Sequence, residues 1–146
     1  MSRTNWLERC VLATPCLTLC LTKKAFLRAY RRVFKDVESA PDAPDWVSEG
    51  VDATMHTLWE NDNISACIVC LDDSIAETLS QLVALIAHEA QHIVQEVQRQ
   101  YDELPLDNDE MECRLLDHVV MRLVESYMEQ TNRPDKLPGH RRKKRG

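Results

Sequence analysis

His88 and His92 stand four residues apart in the pentad His88-Glu89-Ala90-Gln91-His92, and that spacing is the clearest chemical signal in the chain. On a helix, residues four apart lie one turn above each other on the same face. Two imidazoles so placed can reach one tetrahedral zinc ion, and the carboxylate of Glu89 can reach water at the metal. Zinc needs at least one more protein ligand and an open position for water. The chemistry implied is hydrolysis. The metal lowers the pKa of water towards ~7, Glu89 takes the proton as general base, and attack falls on a carbonyl polarised by the ion. Two bland readings compete, in which the histidines are core residues or part of a solvated polar face. A helical wheel disfavours the first, because both lie opposite the apolar stripe from Leu79 to Val97. It is compatible with the second.

A third ligand must come from elsewhere. The acidic stretch Asp107 to Glu112 opens a second helical pattern, and Glu110 lies 18 residues past His92. A helix folding back antiparallel would bring its start towards the far end of the first and could angle a carboxylate onto the metal. The dipole at a helix start also favours acidic residues without any metal, which accounts for Asp107 and Asp109. Amphipathicity sets Glu112 nearer the apolar side, with Leu116 and Val119, so Glu110 and Glu112 both stay open. Gln95 shares the face of His88 and could orient a ligand or substrate, or be plain surface. His118 is a weaker candidate as a donor to the reacting group. His56 reads as a strand residue, and His140 belongs to the tail.

The elements that must position these groups follow from periodicity. Cys16 to Thr22 alternates as a short strand, and Lys23 to Val37 carries Phe26, Leu27, Tyr30, Val33, Phe34 and Val37 at helical spacing. Pro41 and Pro44 make the next stretch a loop. Ala53–Trp59 and Ile64–Leu71 read as a hairpin around a polar turn. Ser74 with Glu77 forms a capping-box pattern, predicting a helix from about Ile75 to Tyr101. Its apolar side carries Leu79, Leu82, Val83, Ile86, Ala90, Ile93, Val94 and Val97. The second long helix runs from about Asp107 or Asn108 to Gln130, with Cys113, Leu116, Val119, Val120, Leu123, Val124 and Tyr127 on its apolar side. The short link between them predicts antiparallel packing.

The 146 residues suit a single domain. The expected division is a domain over 1–131 and a basic, disordered tail over 132–146. From Arg133 onward seven Lys/Arg face one acidic residue, Asp135, while the whole chain carries a formal −6. The body is therefore acidic and not a nucleic-acid binder by bulk charge. Nucleic acid is left to the Arg141–Arg145 run, which otherwise reads as solvated tail. No apolar run approaches the ~18–20 residues of a membrane span, and the opening residues make a poor secretory signal. With six cysteines and no export signal, a reducing cytoplasm is expected. Cys67 and Cys70 form a lone C-x-x-C within a β-branched run. Three apart in a strand they point to opposite faces and serve as apolar fillers, not ligands.

With H-E-A-x-H on one helix and E-x-E-[small]-x-x-[apolar] on the next, the chain resembles the zincin-like metallopeptidases whose third ligand is a Glu on the following helix. It is most similar to uncharacterised small phage and prophage zincin-like proteins. These share a "CLT" strand, a strand ending like IVCLDD, HEA-x-H-x-x-Q and E-x-E-A-Y. The likeness covers roughly Cys16 to Gln130 and is strongest over Ile68–Gln95 and Glu110–Leu116. It implies a minimal zincin-like domain of α+β class, a small sheet packed against a two-helix metal unit. It implies zinc held by His88, His92 and Glu110, with Glu89 catalytic and Cys113 in the small position. It further implies a peptide or protein substrate, and a host cytoplasm if phage-encoded. In many such enzymes an Asp four residues after the ligand Glu braces a histidine; Arg114 stands there, and Asp117 is the available substitute. In zincins an edge strand beside the cleft hydrogen-bonds an extended peptide, a role that falls here to Ala66–Leu71 unless that is a plain core strand. The alternatives are an idle zincin-like module binding a host or phage protein partner, and a nucleic-acid accessory protein acting through the tail. Neither involves a membrane.

Overall fold

A computed structural model describes residues 16–35, 41–60, 63–74, 76, 78–100 and 109–131, with the side chains at 16, 60, 63, 100 and 109–111 outside that description. The elements are β1 (Cys16–Cys20), α1 (Lys23–Val33), β2 (Ala53–Glu60), β3 (Asn63–Leu71), α2 (Leu79–Gln100) and α3 (Asp109–Gln130). The class is α+β, as the sequence predicts. The tail beyond Thr131 lies outside the described residues, as does the link over 101–108.

The sheet has the order β1-β3-β2. β1 runs parallel to β3, with Cys16 opposite Ala66 and Cys20 opposite Cys70. β2 runs antiparallel to β3, Ala53 opposite Leu71, and the register shifts between Leu58 and Trp59. Alternation along the strands sorts side chains onto two cores. Leu17, Leu19, Cys67, Val69 and Leu71 meet α2 and α3 through Leu82, Ile86, Val94, Val97, Leu123 and Tyr127. Cys20, Ala66, Ile68 and Cys70 meet α1 through Phe26, Ala29 and Tyr30. The sheet is thus covered on both faces, which explains why β3 reads as a nearly unbroken apolar run. Cys67 and Cys70 fall on opposite faces as expected, and both are fully buried.

Several expectations need correction. α1 stops at Val33, not Val37. Thr22 caps its start by accepting from the Ala25 N–H at 3.1 Å, and the Phe34 N–H closes its end on the Tyr30 carbonyl. α2 begins at Leu79, where Thr78 and Gln81 form a capping box; Glu77 of the expected Ser74 box lies outside the described residues. The Gln81 N–H donates to the Thr78 hydroxyl and the Thr78 N–H donates to the Gln81 side-chain oxygen, each at 3.2 Å. Ser74 is taken by a turn in which its N–H donates to the Asp72 carboxylate. On α3 the buried line runs through Leu115, Val119, Leu123, Ser126 and Tyr127, while Cys113 is exposed. The stripe is rotated from its expected centre, and Leu116, Val120 and Val124 flank it. Gln130 anchors the end of α3 to the sheet through its side-chain N–H on the Leu19 carbonyl, 3.0 Å away.

Candidate metal centre and cleft

The middle of α2 carries the pentad. Its apolar neighbours Ile86, Ala90, Ile93 and Val94 are buried against the sheet, which turns His88 and His92 outward, and both are exposed. Their Nε2 atoms face each other at 3.2 Å, with ring centroids 4.8 Å apart and the planes near perpendicular at 84°. Two ligands ~2.0–2.1 Å from a tetrahedral ion lie roughly 3.3–3.4 Å apart. The observed separation is close to that edge. Among uncharged imidazoles it also suits one N–H donating to the other ring's lone pair.

Glu89 stands apart from its neighbours in environment. It is 5 % exposed, one of few buried polar residues among those described. Burial raises its carboxyl above the ordinary carboxylate range. The His92 and His88 rings, the Met55 backbone N–H on β2 and His56 act in the opposite direction, and burial prevails. The carboxylate therefore lies between the histidines and the edge of the sheet.

An open cleft of ≈ 710 Å³ runs past this point, reached by His88 and Glu89 and walled by Ala84 and Leu85 of α2 and by Val51, Asp52 and Ala53 at the head of β2. The turn into that wall uses Gly50 at φ +80, a conformation that glycine adopts without strain. The strand beside the cleft is β2, and of the two roles open to Ala66–Leu71 in the sequence it is the plain core strand that the structure bears out. β3 is the central strand, paired on both sides, and has no free edge to offer. Among the described residues β2 has one strand neighbour, β3, and its other edge pairs with no strand.

The third ligand divides on what the structure describes. Glu110 belongs to the first turn of α3, and its side chain lies outside the described residues. Glu112 is described and half-buried. Among the described residues no group of three or more His, Cys, Asp or Glu gathers to hold an ion, so Glu112 does not join the histidine pair. Asp117 and Gln95 are exposed and His118 half-buried. His56 has a structural role: its Nε2 pairs with the Trp46 carbonyl at 2.9 Å and its ring stacks on Phe26 at 4.7 Å. His140 is outside the described residues.

The cleft wall is what the sequence reading missed. Gln81, Ala84 and Leu85 lie seven, four and three residues before His88, on its side of the helix, so the wheel could have flagged them. The contribution of β2 required the strand order, which no local pattern encodes. Two imidazole donors at the spacing of a metal edge, with an oxygen donor expected from α3, fit a zinc ion by donor chemistry. Comparison of the chain with protein-family models, curated proteins and solved structures returns no match, so the residues themselves carry the functional argument.

Proposed function

We propose that this chain is a zinc-dependent hydrolase acting on peptide bonds, with His88, His92 and Glu110 as ligands and Glu89 as the base. The observation that carries the reading is the 3.2 Å separation of the two Nε2 atoms beside a buried carboxylate in one cleft. Bound there, zinc would supply Lewis acidity towards a carbonyl and make nearby water easier to deprotonate.

The chain's own groups account for the rest. Glu89, with its proton affinity raised by burial, is suited to take a proton from water and return it to the leaving amine. Its nearness to the histidines favours the charged form and partly offsets that effect of burial. Apart from the Met55 N–H, which Glu89 engages, the edge of β2 away from β3 would offer backbone donors and acceptors to an extended peptide lying as an added strand beside Glu89. Register on that strand would then fix which bond meets the base.

Metal content decides the matter, measured on the full chain purified without chelators or a histidine tag. About one zinc per chain is expected, retained in Glu89→Gln and Glu112→Gln and lost in Glu110→Gln. Peptide cleavage should appear with the wild type and vanish with Glu89→Gln. A folded wild type that takes up no zinc would reduce the pentad to a hydrogen-bonded surface pair.

A further inference from the structure

On the sheet face opposite α2 and α3, α1 presents a surface the hydrolase reading leaves unused. We propose that this surface binds the phosphate backbone of a nucleic acid, independently of sequence and of the metal centre.

The charge is one-sided. Residues 16–35 hold Lys23, Lys24, Arg28, Arg31, Arg32 and Lys35 and not one Asp or Glu, in a chain whose formal net charge is −6. Phe26, Ala29 and Tyr30 bury one side of α1 against the sheet. At 100° per residue Lys24, Arg28 and Arg31 fall within about 60° of one another on the opposite side. They form a line about 10 Å long, flanked by Lys23 and Arg32. With Lys23 and Leu27 they border an open groove of ≈ 490 Å³.

Helix stability does not explain this pattern. Arg31 and Arg32 in the last turn complement the dipole, but Lys23 and Lys24 sit in the first turn, where cations are disfavoured and no acidic residue offsets them. Bulk charge argues against a polyanion, yet at physiological salt fields fade over ~8 Å. The local line therefore decides. About 10 Å along one strand of a duplex carries roughly three phosphate charges, which suits a row of three cations.

The surface also discriminates between kinds of anionic partner. A protein interface needs an apolar centre, and an amphipathic membrane helix needs apolar residues to insert. Among the described residues the exposed large apolar side chains are Val51, Trp59, Leu79, Val83 and Met121, none of them on α1. Leu27 is the one apolar residue bordering the groove and the other four are Lys or Arg, so a face whose polar heads are all cationic matches a ligand whose affinity is carried by phosphates.

The test uses the full chain and the exposed pair Lys24→Ala/Arg31→Ala, because Arg28 and Lys35 also engage neighbouring groups. Binding to a fluorescent 20-base-pair duplex and to its single strand is followed by anisotropy between ~50 and ~200 mM salt. A second full-length variant, with Arg141 to Arg145 all changed to Ala, reports the tail separately. The α1 pair is expected to weaken binding roughly tenfold at the low-salt end. It should also lower the slope of log K against log salt by about 2 on duplex, with circular dichroism and metal content unchanged. Binding by the α1 variant equal to that of the wild type overturns the proposal, whether or not the tail variant binds. So does equal, equally sensitive adsorption to phosphatidylserine vesicles, which would make the ligand a lipid surface.

Discussion

Glu89 and the two histidines make different demands on the fold. His88 and His92 are exposed, so replacing either with Ala should change the stability of metal-free protein by no more than about 0.5 kcal/mol. It should nevertheless abolish stoichiometric zinc. Thermal melts in chelator beside metal analysis separate the two effects. Glu89 is the reverse case. Its carboxyl is raised by burial, so the charged form is a cost to the folded state. A group with a raised folded pKa contributes stability below its unfolded pKa and loses it as pH rises through the folded one. Glu89→Gln removes that loss. It should keep zinc, end turnover, and raise the melting temperature near neutral pH by a few degrees, on the order of 1 kcal/mol. The gain should shrink as pH falls towards the ordinary carboxylate range, in melts recorded with chelator. A variant equally stable at all pH values would show that the buried charge costs nothing.

Among the elements, α2 was legible because Leu82, Ile86, Ala90, Ile93, Val94 and Val97 recur at helical spacing, and the outward placement of the histidines followed from it, although Leu79 and Val83 of the expected stripe are exposed. Its start was misread for a physical reason. Two capping-box patterns stand in tandem, Ser74 with Glu77 and Thr78 with Gln81, and local sequence does not rank them. Asp72 settles the choice by capturing Ser74 in a turn. Accordingly Thr78→Ala should destabilise the protein by about 1 kcal/mol, whereas Ser74→Ala should stay within about 0.5 kcal/mol; denaturant midpoints measure both. The strands divide similarly. The pairing of β2 with β3 was readable from a polar turn between two β-branched runs. That β2 and not β3 borders the cleft depends on β1 inserting beside β3, a contact made across some fifty residues of chain. The unbroken apolar run of β3 was the available sign that it lies between two covered faces. For the third ligand the sequence left Glu110 and Glu112 open, and the description of α3 sets Glu112 aside from the histidine pair.

Across the whole molecule, two cores share one three-stranded sheet, so disturbing either should unfold both. The cysteines report this. Cys20, Cys67 and Cys70 are buried free thiols and Cys113 is exposed. Burial pushes Cys67 up to about 12, and the Cys70 thiol is raised by its hydrogen bond with Cys20 and by burial. Alkylation at neutral pH should modify Cys113 promptly, while Cys20, Cys67 and Cys70 react at one common, much slower rate set by global opening. Separate rates for Cys67 and Cys70 would mean that the two sheet faces open independently. The histidine pair has a related consequence for how an ion would come and go. More than two turns of α2 flank it on each side, Leu79–Ala87 and Ile93–Gln100, and packing against the sheet holds that helix. The 3.2 Å gap is therefore maintained by the polypeptide before any ion arrives. Unlike a finger that collapses when stripped, this chain should keep its circular dichroism in chelator and recover full loading on mixing with zinc, without a refolding phase.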